Sequence, residues 1–173
     1  MKKLWVIPLI ALLFAGCGNK TALETVSDVE DVAVVVAAQR IQIQLPPELS
    51  SPTMESEESG TLYLCDDYSV TVQVAESGDL QKTIRETTGM DKDNLQIIQT
   101  KQGDIKRYQW VWTTTGEEGT QIGRTCLLDD GAYHYVLTAL VDETKAEKVQ
   151  SQWKEIFNSF SLATEREEIS TGS

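Results

Sequence analysis

His134 is the only histidine in the chain, and its side chain is the one best suited to acid–base chemistry near neutral pH. An imidazole can act as general base for an exposed Ser or Thr hydroxyl when a carboxylate orients the ring. The sequence has no nucleophile-elbow motif, and no carboxylate can be assigned to the orienting role. We therefore expect His134 to be a solvated strand residue in a protein that is not an enzyme. A small hydrolase that uses His134 is the alternative.

The thiols of Cys65 and Cys126 are the next candidates for chemistry. If residues 66–67 and 130–131 form two-residue turns, each thiol points to the apolar face of its strand. One interpretation is a disulfide between them, which an extracytoplasmic location permits. The other is a pair of buried free cysteines that act as small hydrophobic residues.

Three aromatic side chains at alternate positions, Tyr108, Trp110 and Trp112, share one face of a predicted strand. Aromatic rings combine a large contact area with a low entropy cost, so this row could bind a sugar or a peptide by stacking. The alternative is that the three rings pack in the core beneath the last helix. A small-molecule binding module requires the rings to be open to solvent.

Composition and charge exclude several classes of function. The chain has 173 residues, with 15 Lys and Arg against 27 Asp and Glu, and a net charge of −12. Such an acidic chain lacks the basic surface that nucleic-acid binding requires, so we expect no nucleic-acid partner. One histidine and three cysteines leave little room for a metal site. Phosphate-binding and dinucleotide-binding glycine motifs are not found, and we expect neither a metal nor a cofactor.

The N-terminal residues carry the strongest motif in the sequence. Lys2 and Lys3 precede an apolar run over residues 4–14, which is too short for a bilayer-spanning helix and typical of a secretory signal. The run ends in Leu-Phe-Ala-Gly-Cys at residues 13–17, which resembles a bacterial lipoprotein signal. The resemblance implies that the chain is cleaved before Cys17 and that the Cys17 thiol is linked to diacylglycerol, with further acylation such as palmitate.

Four segments follow from this interpretation. Residues 1–16 are the signal peptide, and residues 17–31 are a lipidated cysteine with a flexible acidic tether. Residues 32–162 form a single α+β domain, and residues 163–173 are a polar tail that we expect to be disordered. More than one acyl chain on Cys17 would hold the protein at the extracytoplasmic face of the cell membrane.

The sequence of this domain predicts an antiparallel meander with two helices. Alternation over residues 41–45 predicts a half-buried strand, which the following prolines end. A helix is predicted over residues 80–88, with Gly89 as its C-terminal stop. The last helix is predicted over residues 145–160, with a Thr144/Glu147 capping box. Its apolar stripe consists of Val149, Trp153, Ile156, Phe157 and Phe160. The remaining predicted strands cover residues 61–65, 68–75, 95–100, 105–114, 120–128 and 132–141.

This order of elements resembles the photosystem II extrinsic PsbP family and its bacterial relatives. The resemblance rests on the strand end Leu-Pro-Pro-Glu at residues 45–48, the early helix, the meander, and the Trp153-x-x-Ile156-Phe157-x-x-Phe160 face of the last helix. It implies an α/β/α sandwich around an antiparallel sheet. No ligand-binding residue of the family can be matched in this chain, and a fold of this kind does not specify a function.

The sequence thus predicts a non-enzymatic, membrane-anchored envelope lipoprotein. Its expected partners are the membrane, through the lipid on Cys17, and an envelope macromolecule that it binds or supports. The alternatives are the small hydrolase using His134 and the small-molecule module using Tyr108, Trp110 and Trp112.

Overall fold

A seven-stranded antiparallel sheet forms the centre of the part of the chain that the computed structural model describes, residues 36–56, 60–117 and 119–163. The predicted signal peptide, Cys17, the tether and all but the first residue of the tail lie outside these residues. The strands are β1 (Ile41–Gln42), β2 (Met54–Ser56), β3 (Gly60–Leu64), β4 (Tyr68–Glu76), β5 (Ile98–Gln102), β6 (Ile105–Gly116), β7 (Gly119–Asp129), β8 (Tyr133–Asp142) and β9 (Ser161–Leu162). The helices are α1 (Leu80–Thr88) and α2 (Ala146–Ser159).

The order of strands in the sheet is β2-β3-β4-β8-β7-β6-β5. Within this sheet, strands that are consecutive in the sequence pair as hairpins, except that β4 pairs with β8 and not with β5. The long strand β8 therefore joins the two groups of hairpins, β2-β3-β4 on one side and β7-β6-β5 on the other. A separate small ladder pairs β1 with β9.

The two helices cover opposite faces of the sheet. Ile84 of α1 packs with Trp110, Leu127 and other buried residues of one face. Phe157 and the rest of the α2 stripe pack with the other face, beside Leu137 of β8. The predicted α+β sandwich, with an early helix and a C-terminal helix around an antiparallel sheet, is confirmed.

Helix α1 begins and ends where its local sequence predicts. The Asp79 side chain accepts a hydrogen bond from the Gln81 backbone N–H at 2.9 Å, which satisfies one of the free donors of the first turn. At the other end Gly89 adopts a left-handed conformation with φ of 72°, which glycine reaches without steric cost. No described helix is both long and apolar enough to cross a membrane.

Helix α2 buries the predicted stripe, but its start differs from the prediction. A 3₁₀ turn, Glu143–Lys145, precedes the helix, and the Asp142 carboxylate accepts from the Thr144 backbone N–H at 2.9 Å. The predicted Thr144/Glu147 capping box is therefore wrong. Asp142 takes that role because β8 ends there and the chain turns directly into the helix.

Several element boundaries also differ from the prediction. Ile41, Ile43 and Leu45 do pack on the core, but only Ile41–Gln42 joins a ladder, because β9 offers just two residues as partner. Leu49 in the following loop is fully buried. The turn between β7 and β8 lies one residue later than predicted: Asp129 pairs with His134 and the Asp130 N–H donates to the Tyr133 carbonyl at 3.3 Å, which leaves Gly131 and Ala132 at the tip.

Candidate functional site

His134 lies on the face of β8 that α1 covers, and only 1% of it is exposed. Its Nδ1 is 2.9 Å from the hydroxyl oxygen of Thr83, on α1. Burial lowers the pKa of His134 below its usual value, and Lys106 lowers it further, whereas Asp129 and Asp130 act in the opposite direction. The expectation of a solvated strand residue is wrong, because α1 packs over this end of the strand.

The structure also brings a carboxylate to this ring. Asp129 pairs with His134 across β7 and β8, and it accepts from the Ser77 hydroxyl at 3.2 Å and the Gly131 N–H at 2.9 Å. Ser77 and Thr83 are 52 and 51 positions from Asp129 and His134, respectively, so no local motif could show the cluster. Because the ring is buried beneath α1, a substrate could not reach it in this arrangement. The cluster joins α1 to the sheet.

Cys65 and Cys126 are both free. Cys65 follows β3 and Cys126 is in β7, so two strands lie between them. Three strand spacings amount to about 14 Å, well beyond the Cα separation of roughly 4.4–6.8 Å that a disulfide needs. The disulfide interpretation is wrong, and the free-cysteine interpretation holds. Burial raises the pKa of Cys126 to about 11, so its thiol is unreactive near neutral pH.

Tyr108, Trp110 and Trp112 do share one face of β6, as predicted, but their rings are buried, with 9%, 2% and 7% exposed. They pack against Ile84 of α1, not beneath the last helix. Both the open stacking surface and the placement under α2 are therefore wrong for this structure. The strand order explains the difference, because the sequence does not show which face each helix covers.

Gly123 allows one of these rings to lie flat on the sheet. It pairs with Trp112 across β6 and β7, and a Cβ at this position would overlap the indole ring. The Trp112 Nε1 donates to the Thr125 hydroxyl at 3.2 Å, which fixes the ring over the glycine. The face under α1 is thus closed by side chains of the sheet itself.

The opposite face contains the best candidate for binding, a groove of about 510 Å³ beside α2. We call it the α2 groove. The exposed apolar residues on its floor are Ile98, 66% exposed, and Val111, 59% exposed. Its remaining lining residues are Gln96, Gln109, Trp110, Ile122, Arg124, Ala146, Gln150 and Trp153. Grooves of this volume with apolar walls and a few polar groups are typical of binding sites.

The groove exists because α2 covers only part of its face. The helix packs on β8 and on the buried residues of β7, whereas β5 is exposed at every residue. On this face β6 presents Arg107, Gln109 and Val111, none of which is large and apolar enough to close the gap. Sequence reasoning did not identify the groove. The only local signal of the groove was strand alternation, which places Val111 on the face of β6 that Trp110 and Trp112 do not occupy.

Two arginines beside the groove differ in how their guanidinium groups are used. Arg107 donates to the backbone oxygens of Phe157 at 2.6 Å and Phe160 at 2.9 Å, at the carboxyl end of α2, where a cation is favourable. Arg124 lies 4.4 Å from the centre of the Phe157 ring, and its other contact is a long 3.4 Å hydrogen bond to Gln109.

Arg124 forms no ion pair with any carboxylate of the described residues. Burial and the neighbouring Arg107 lower its pKa, although the group remains charged. Arg124 is thus a half-buried cation with unused donors in the wall of an apolar groove. In the described part of the chain, no three His, Cys, Asp or Glu side chains are placed to hold a metal ion.

No family profile and no curated protein sequence matches the chain. The solved structures that are similar to this chain include the following two. One is LpqN of Mycobacterium tuberculosis, described as involved in cell envelope biogenesis, with a TM-score of 0.51 and 12% identity over 73% of this chain and 84% of that one. The other is the cyanobacterial PsbP of Synechocystis sp. PCC 6803, with a TM-score of 0.49 and 10% identity over 78% of this chain and 99% of that one. At this identity the likeness to LpqN concerns the fold.

Proposed function

We propose that this chain is a lipid-anchored envelope protein, not an enzyme, and that it binds another envelope macromolecule through the α2 groove. The groove carries the proposal, because exposed Ile98 and Val111 lie beside a half-buried cation that has no counter-ion among the described residues. Exposed apolar side chains grouped beside an arginine are typical of binding surfaces.

The location rests on the sequence motif at Cys17 and is supported by the envelope role stated for LpqN. A Cys17→Ser variant tests it in the bacterium that encodes the protein. We expect the parent to fractionate with membranes and its N-terminal peptide to carry an acyl mass, and the variant to lose both. If the variant is processed and fractionates like the parent, the lipid anchor is wrong.

Binding is tested by photo-crosslinking in intact cells, with a photoreactive residue in place of Val111. Leu64, which is 48% exposed on β3 and outside the groove, is the matched control position. We expect a discrete crosslinked product from position 111 and none from position 64. The absence of a product at position 111, or the same product from both positions, would count against binding through the groove.

A further inference from the structure

We propose that the α2 groove accepts an extended, acidic segment of a partner protein, which adds as a further strand to the free edge of β6. This inference rests on the proposed function and specifies how its site works. In this arrangement the segment places an apolar side chain against Val111 and an acidic side chain at Arg124.

The first observation is an unpaired strand edge. β5 pairs with β6 only from Ile105 to Gln109, whereas β6 continues to Gly116. From Trp110 to Gly116 the strand has β7 on one side and, among residues 36–56, 60–117 and 119–163, no strand on the other. A free edge of this kind presents backbone N–H and C=O groups that an incoming strand can pair with.

This edge also lacks the features by which proteins protect free edges. Its sequence from Trp110 to Gly116 is Trp-Val-Trp-Thr-Thr-Thr-Gly, which has high strand propensity and contains no charge and no proline. By contrast, β2 at the far edge of the sheet is only three residues long and carries Glu55. The β5 edge carries Lys101. Short strands and charged residues discourage pairing with another chain, so the outer part of β6 is less protected than these two edges.

The second observation is the side-chain pattern beside that edge. Val111, Thr113 and Thr115 alternate on the groove side of β6, and Val111 is 59% exposed. Ile98, at the start of β5, adds a second exposed apolar side chain where an incoming strand would begin. Since side chains of an added strand also alternate, every second residue of the partner would face these positions.

The third observation is the sign of the charge. Arg124 adds an unpaired cation on the groove face. Arg124 is the charged side chain in the lining of the groove, so the groove favours an acidic segment although the chain has a net charge of −12. The outer part of β6, residues 110–116, has no carboxylate, so a second copy paired through this edge would offer Arg124 no counter-ion from that segment.

The test measures binding of a fluorescent synthetic peptide to the purified full-length protein in detergent, by fluorescence anisotropy. The peptide has about seven residues, alternates valine and threonine, and has a glutamate at each end, which matches the free length of the edge. We expect saturable binding that weakens as salt is raised. A version with lysine in place of glutamate should bind at least about tenfold more weakly.

Peptides methylated on alternate backbone nitrogens distinguish strand addition from simple contact with an apolar groove. Only one of the two alternating sets of N–H groups can pair with β6, so one methylated peptide should lose binding and the other should keep it. If both methylated peptides bind like the parent peptide, strand addition is wrong.

Two variants locate the peptide on the protein. Val111→Asp should abolish binding, whereas Leu64→Asp, at a comparably exposed position on β3, should leave it unchanged. Arg124→Met should weaken binding about tenfold, the effect expected for loss of one charge-assisted hydrogen bond. Equal effects at positions 111 and 64 would contradict the proposed location.

Failure of this inference can be separated from failure of the proposed function. A crosslinked product at position 111 without any peptide binding would retain the groove as a binding site and reject an extended acidic segment as its occupant. A full-length dimer that Val111→Asp dissociates would identify a second copy as the occupant and would overturn the inference.

Discussion

The two faces of the sheet differ in a way that helix length does not explain. α1 has 9 residues and lies on a closed face, whereas α2 has 14 residues and leaves a groove beside it. The strand β6 accounts for much of the difference, because its alternate residues point to opposite faces. Toward α1 it presents Tyr108, Trp110 and Trp112, whose rings cover the sheet. Toward α2 it presents smaller or polar side chains, Gln109 and Val111 among them.

This difference shows how one strand can supply both stability and a binding surface. Large aromatic residues on one face bury enough area to stabilise β6, so the other face does not need to be covered. The residues between them are then free to meet a ligand. Substitutions that separate the two faces test this division, beginning with the largest expected effect.

Substitutions at two adjacent residues of β6 should lower the free energy of unfolding by very different amounts. Trp110→Ala removes a ring that is 2% exposed and should lower the free energy of unfolding by about 3–5 kcal/mol. Val111→Ala, one residue away on the groove face, should lower it by less than about 1 kcal/mol. Urea denaturation of both variants measures the difference. Similar losses would mean that the groove face is also part of the stabilising core.

Substitutions of the two arginines beside α2 should also differ in how much they lower the free energy of unfolding, although by less than the two substitutions in β6. Arg107→Met removes two hydrogen bonds to the carboxyl end of α2 and should cost about 1.5–3 kcal/mol. Arg124→Met removes a contact with the Phe157 ring and a long hydrogen bond, and should cost about 0.5–1 kcal/mol. The same denaturation experiment compares them. If Arg124→Met is the more destabilising, Arg124 is a structural residue and is not available to a ligand.

Gly123 tests how closely the α1 face is packed. Gly123→Ala places a methyl group against the Trp112 ring and should cost about 1–3 kcal/mol. Gly78→Ala is the matched control, since nothing lies within 4 Å of the added Cβ. In a Trp112→Ala background the cost of Gly123→Ala should largely disappear, because the ring that it would overlap is gone. A cost that is the same in both backgrounds would show that the backbone, and not the ring, restricts this position.

Local sequence was enough to predict the elements but not their arrangement. α1 is confirmed because Asp79 and Gly89 act on their own turns. The shared face of the three aromatic residues is confirmed because strand alternation is a local property. Which helix covers that face depends on β8 pairing with β4, a contact between residues 57 to 73 positions apart. Because the same pairing puts β4 and β8 between β3 and β7, Cys65 and Cys126 are too far apart for a disulfide.

The groove could not be predicted for the same reason. Its walls come from β5, β6, β7 and α2, and its openness depends on where α2 crosses the sheet. The different uses of Arg107 and Arg124 depend on the position of the carboxyl end of α2. Composition could not distinguish these two arginines. His134 is a similar case, since its place in a strand was predicted and its burial beneath α1 was not.

The smallest expected effect is the pH dependence that His134 adds to folding. Burial lowers its pKa in the folded protein, so the unfolded chain, with a pKa of about 6.5, takes up the proton more readily. The free energy of unfolding should therefore fall as the pH drops below about 6.5 and should not depend on His134 well above it. Asp129 and Asp130 partly offset the burial, which keeps the effect small.

A His134→Gln variant isolates this contribution, because glutamine does not titrate and its amide can still meet the Thr83 hydroxyl. Urea denaturation at about pH 7.5 and 5.5 should show a steeper loss of stability for the parent than for the variant. Carboxylates with lowered pKa, such as Asp67, Asp130 and Asp142, weaken both proteins alike on acidification and cancel in this difference. Equal pH dependence of the two proteins would mean that α1 opens enough to hydrate His134. The α1 face would then be less closed than its packing indicates, and the contrast with the α2 face would have to rest on the aromatic rings alone.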